Sequence, residues 1–91
     1  MRFDWDEANE GHISRHRVTK SEVEESLIDP LGQFVDSDVA DCEVRYSQIG
    51  ATVRGRLLIV VFTIRGDAIR PITAFDADSF TSCTYRQGAN L

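Results

Sequence analysis

At 91 residues, with 42% hydrophobic and 27% charged side chains, the chain has the composition of one folded domain with a thin core; a disordered tail is excluded. Ten basic against fifteen acidic residues leave a net charge of −5, which opposes non-specific capture of nucleic acid but permits a local basic patch. The longest apolar run, Leu57–Phe62, is too short to span a bilayer, and the acidic N-terminus lacks the form of a secretion signal. The expectation is therefore a cytoplasmic single domain over residues 1–91, with no membrane partner.

Phe3-Asp4-Trp5 reads as an extended lead-in, and Asp4 followed by Glu7 has the form of a helix N-cap with its reciprocal acid. Trp5, Ala8, His12 and His16 then recur at spacings of three and four, with Ile13 beside them, which predicts that both histidines lie on or beside the apolar stripe of a first helix. Thr19-Lys20-Ser21-Glu22 is a second capping box, opening a helix whose Val23 and Leu27 face inward and whose Glu22, Glu24 and Glu25 face water until Pro30 ends it. His16-Arg17-Val18 is then a joint between helices, where basic groups complement the carbonyl end of the first.

Residues 33–41 are polar and acidic and read as a loop, with a short edge strand at Gln33-Phe34-Val35. Three strand-like runs follow, Cys42–Ile49, Arg56–Ile64 and Ala68–Phe75, separated by glycine-bearing turns at 50–55 and at Arg65-Gly66-Asp67, so an antiparallel meander is expected. The middle run is apolar on both faces, with Leu58, Val60, Phe62 and Ile64 on one and Leu57, Ile59, Val61 and Thr63 on the other. Two helices cover one face; the short tail after Asp78 leaves the other to a partner chain or a second copy. The expected fold class is α+β: two N-terminal helices packed on a three- to four-stranded antiparallel sheet, with a short C-terminal helix or tail.

His12 and His16 have the i, i+4 spacing of a zinc helix, but Ile13 stands where the HExxH pattern needs glutamate, and no third ligand is apparent. No metal or cofactor is expected. His12 reads as a partly buried residue packing near Trp5. His16, at a helix end between Arg15 and Arg17, is the better candidate for proton transfer. Cys42 and Cys83 offer no ligand spacing and read as reduced thiols without a role.

Nine of the ten basic residues are arginine, whose rigid fork of donors matches phosphate better than lysine does. Arg54 and Arg56 flank one turn and Arg65 opens the other, so they sit at opposite ends of the central strand and cannot all serve one site. Histidine with arginine suits RNA cleavage: the imidazole moves protons at the 2′- and 5′-oxygens, and guanidinium groups stabilise the pentacoordinate phosphate.

Several stretches together resemble the BrnT family of bacterial type II toxins: Phe3-Asp4-Trp5-Asp6, "HISRHRVTKSEVEE", Asp29-Pro30-Leu31, Arg45, Ile49-Gly50 and "GRLLIVVFTIRGDAIRPITA". The resemblance implies a domain similar to RelE-type ribonucleases. It also implies a metal-independent toxin that cleaves RNA and inhibits translation, neutralised by a BrnA-like antitoxin through which alone it meets DNA. On positions matching the pattern, His16, Arg65 and Arg70 are the candidate catalytic residues and Arg56 a candidate RNA-binding residue. A homodimer or a hetero-complex is expected. The chain differs from the pattern at Arg17, where glycine is common, at Phe75, where a basic residue is common, and in the nearly neutral "DADSFTSCTYRQ". The alternative reading is accordingly an inactive toxin-like interaction module that binds an antitoxin-like partner or itself.

Overall fold

Alternation along the most apolar strand sets the layers. In the computed structural model, which describes residues 1–89, this strand is β4 (Leu57–Arg65), flanked by β3 (Glu43–Ala51) and β5 (Ala68–Asp76). Leu58 and Val60 are fully buried against Ile13, Val23 and Leu27 of the N-terminal helices and Val18 of the joint between them, with Phe3, Trp5, Phe62 and Ile69 around them. Those helices are α1 (Glu7–Ser14) and α2 (Lys20–Leu27). Burial of each such aliphatic side chain stabilises the fold by about 1.5–3 kcal/mol, so this layer carries most of the core.

The sheet is larger than expected and mixed. Residues 33–41 do not form a loop: β2 (Gln33–Ala40) is an eight-residue edge strand, and β1 (Arg2–Phe3) pairs in parallel with β5 at the other edge. The order is β1-β5-β4-β3-β2, with every pair except β1–β5 antiparallel. The sequence reading caught only the Gln33–Val35 start of β2, because the turn that ends the strand has no glycine. Ala40 and Glu43 pair across the two-residue turn Asp41-Cys42, and both turn residues have positive φ, 52° and 64°, the type I′ geometry for which Asn-Gly is the usual signal. The expected turn at Gly66-Asp67 is present, with Gly66 at φ 63° and Arg65 paired with Ala68.

The first helix differs from its expected register. Its N-cap is Asp6, which receives the amides of Ala8 and Asn9 while Asn9 returns a bond to the Asp6 amide. The inward positions are Asn9 and Ile13, so the stripe through Trp5, Ala8 and His12 is not the buried one. Asn9 turns inward because its side-chain amide donates to the carbonyls of Asp4 and Pro71, each at 2.9 Å, fastening α1 to β5. The second capping box is as expected: Thr19 and Glu22 exchange bonds, and Val23, Ser26 and Leu27 face the sheet. Its acids are not simply solvated, since Glu24 accepts the Trp5 indole N–H at 2.8 Å and Glu25 accepts the Val53 amide. Gly50 lets α2 approach β3, because a Cβ there would collide with the Ser26 carbonyl.

The other face of β4 is not left bare. The C-terminal helix α3 (Ser79–Gly88), capped by Asp78, lays Tyr85 on Ile49 and Ile59. Ile59 is only 7% exposed, so the patch expected to require a partner is closed there by the chain itself.

Candidate active site

Because Asn9 and Ile13 take the inward face of α1, His12 and His16 are turned outward. The helix tightens at its end, where the amides of Arg15, His16 and Arg17 donate to the carbonyls of His12, Ile13 and Ser14. Arg17 then reverses the chain at φ 58°. This brings the two imidazoles edge to face at 5.8 Å between centroids. The Phe75 ring, 38% exposed on β5, lies 6.4 Å from His16. Arg15 and Arg17 flank His16 in the chain, and among the described residues neither side chain is bound to a carboxylate. Two exposed imidazoles and a partly exposed ring thus share one corner, with Arg15 and Arg17 adjacent to His16 in the chain.

The other candidates are not brought there together. Arg56 immediately precedes β4 and Arg65 is its last residue, roughly 30 Å away at strand rise. Arg56 reaches the histidine corner but is committed: it grips Asp76 through Nε at 2.7 Å and Nη2 at 3.1 Å, and its Nη1 meets Glu22 at 3.1 Å and the Arg17 carbonyl at 2.9 Å. The Asp76 bond, opposed by burial and aided by Glu22, raises its pKa further above an already high value. Arg65 forms a fork with Glu43 at 3.0 and 3.2 Å. Arg70, with a side chain only 12% exposed, is held by Asp6 at 3.0 Å and Asp4 at 3.5 Å. It lies five residues along β5 from Phe75, roughly 16 Å at strand rise. Its guanidinium is committed to Asp4 and Asp6, at the opposite end of α1 from His16.

Arg65 and Arg70 share the α3 side of the sheet with Arg45, whose Nε is buried without a partner and whose Nη2 lies 3.9 Å from Asp41. Glu43 feels all three guanidinium groups; the Arg65 bond comes first among the causes that hold its carboxyl below the usual range. The sequence reading paired His12 with His16 but set His12 aside as partly buried near Trp5, whereas it is exposed, and it missed Phe75 as the companion of His16. The i, i+4 spacing already placed both histidines on one face; taking Trp5 and Ala8 as the inward stripe assigned that face to the wrong side. Among the described residues, no three His, Cys, Asp or Glu side chains converge on a metal position. Both cysteines are exposed and free.

The family profile described as "Ribonuclease toxin, BrnT, of type II toxin-antitoxin system" matches residues 5–79. The chain belongs to the BrnT family. The match takes in α1, α2 and strands β2 to β5, and stops at the first residue of α3. Membership makes it a member of a ribonuclease-toxin family whose systems pair toxin with antitoxin, so an antitoxin is the partner the family implies. No curated protein matches the chain. None of the described helices is long and apolar enough to cross a membrane.

Proposed function

We propose that this BrnT-family chain is a metal-independent endoribonuclease that inhibits translation, is neutralised by a BrnA-like antitoxin, and carries its chemistry at the His12–His16 corner. The supporting observation is the exposed imidazole pair at 5.8 Å, with Phe75 beside His16; Arg15 and Arg17 are the arginines next to His16 in the chain. One imidazole takes the proton from the RNA 2′-hydroxyl; the 2′-oxygen attacks phosphorus; the P–O5′ bond breaks; and the other imidazole, as imidazolium, protonates the leaving 5′-oxygen. The products are a 2′,3′-cyclic phosphate and a 5′-hydroxyl. Arg15 and Arg17 supply charge to the pentacoordinate phosphate, and the Phe75 ring offers a stacking surface to a flanking base. His16 keeps the acid–base role, joined by His12. Arg65, half exposed, serves as an outlying contact to the RNA backbone, whereas Arg56 and Arg70 brace the fold.

A second reading, the non-catalytic interaction module, is favoured by one observation: Arg56, Arg65 and Arg70 all spend their donors on carboxylates of the same chain. A cleavage assay on a short RNA in EDTA, with product ends analysed, separates the two. The toxin reading expects cyclic-phosphate ends and a fall of about 10²-fold or more in both His12→Ala and His16→Ala, with circular dichroism unchanged. Wild-type protein that leaves RNA intact, and whose induction alone leaves bacterial growth and protein synthesis normal, would establish the module instead.

A further inference from the structure

β2 presents an open edge. In a two-residue hairpin the residues flanking the turn exchange both backbone bonds, so Ala40 and, at every second position, Asp38 and Asp36 bond inward to β3. The backbone groups of Ser37 and Val39 therefore point away from the sheet. Their N–H groups are held by the preceding side chains: Ser37 donates to the Asp36 carboxylate at 2.8 Å and Val39 to that of Asp38 at 2.7 Å. The two aspartates stand in for a missing neighbouring strand. Neither has a cationic partner in an ion pair among the described residues.

The edge also has an apolar side. Val39 pairs with Val44, and with Ile64 on β4 they form a row that α1 and α2 do not cover, 66%, 44% and 55% exposed respectively. Lysine and proline are absent from β2, so Asp36 and Asp38 are the charged guards of this edge, and its bulge lies at the far end, between Phe34 and Asp36. A second copy of the chain is a poor occupant. Antiparallel pairing of β2 with itself about Ser37 would set Asp36 against Asp38 twice, and like charges directly opposite one another destabilise a ladder.

We infer that the outer edge of β2 is the docking strand for an extended, basic segment of the antitoxin partner, which adds to the sheet as a sixth strand. Backbone carbonyls of that segment take over the Ser37 and Val39 N–H groups. The released Asp36 and Asp38 carboxylates meet its lysines or arginines on one side. Apolar residues at the alternate positions lie along Val39, Val44 and Ile64 on the other. The inference rests on the family's having an antitoxin and is independent of the chemistry assigned to the histidines.

A labelled nine-residue peptide alternating lysine with valine tests it by fluorescence anisotropy on the full chain, beside the same peptide N-methylated at alternate residues and one with glutamate for lysine. The expected result is saturable binding of the lysine peptide, weakened at least tenfold by N-methylation. Replacement of Asp36 and Asp38 together by asparagine should weaken binding at least fivefold, with circular dichroism unchanged, and the glutamate peptide should not bind. Equal binding of the methylated peptide would reduce the effect to charge attraction and overturn strand addition. Absence of binding, or sedimentation showing a dimer that Ser37→Pro dissolves, would assign the edge to something other than a basic partner strand. RNA cleavage measured on the same protein reports separately on the ribonuclease reading.

Discussion

The Tyr85 hydroxyl donates to the Asp29 carboxylate across 2.6 Å, tying α3 to the segment behind α2. Asp29 also receives the amides of Leu31 and Ala51, so one carboxylate joins a helix, a turn and a strand. Burial pushes the Asp29 carboxyl up, but the Tyr85 hydroxyl and the two amides outweigh it and hold it below its usual value. Burial first, and then Asp29, push the Tyr85 phenol up to about 12.

Tyr85→Phe should therefore cost about 1.5 kcal/mol in urea denaturation, the value of a hydrogen bond to a charged acceptor. A raised folded-state pKa gives stability that is complete below the ordinary value of 10.0 and is lost as the pH climbs through about 12. Wild-type protein should lose midpoint across that window, and the phenylalanine variant should lose less. Parallel curves for the two proteins would remove Tyr85 from the account.

Arg56 joins four segments through Asp76, Glu22 and the Arg17 carbonyl. Arg56→Ala should cost about 2 kcal/mol, between the values for exposed and buried ion pairs. The Arg56 bond lowers the Asp76 pKa; for Glu22 the Thr19 amide leads and Arg56 adds to it. Lowered carboxylate pKa values give stability that is present above the unfolded values of 3.8 and 4.5 and fades as the pH falls through the folded ones. Urea titrations from pH 6 to pH 2 should therefore show a shallower acid loss in the alanine variant. An unchanged acid slope would show that the brace carries no proton linkage.

Arg17 occupies left-handed backbone at φ 58°, a conformation that costs a residue with a Cβ about 1–2 kcal/mol. Arg17→Gly should raise the unfolding free energy by about 1 kcal/mol. In the proposed reaction it should also slow RNA cleavage, because a guanidinium group is lost. Stability that falls instead would mean that the side chain is anchored in a way its backbone does not reveal.

Much of the fold could be read from residue pattern, and the reasons for the exceptions are local. β4 declared itself because an apolar strand covered on both faces leaves an unbroken run such as Leu57–Phe62, and the glycine-bearing turns on either side of it delimited β3 and β5. Of β2 only the start at Gln33–Val35 did, because its residues are almost all exposed and its type I′ turn uses Asp41-Cys42. The register of α1 was displaced by a polar residue: Asn9 is buried at 5% exposure for its two hydrogen bonds, a preference that no hydrophobic pattern records. At the site, residue type pointed to His16. The carboxylates that occupy Arg56, Arg65 and Arg70 come from positions as far away as Asp4 and Asp76, and only the folded register brings them together.

The parallel pairing of β1 with β5 has a bearing on how the chain leaves the ribosome. Phe3 finds its neighbour at Ile69, and the helices that follow it pack on Leu58, Val60 and Ala74. Until synthesis has passed those residues, Ile13, Val18, Val23 and Leu27 have no surface to cover. At elongation of ~5–20 residues per second, that interval lasts several seconds. The N-terminal half thus emerges first and is finished last, and through that interval its apolar side chains are open to chaperones or to a waiting partner.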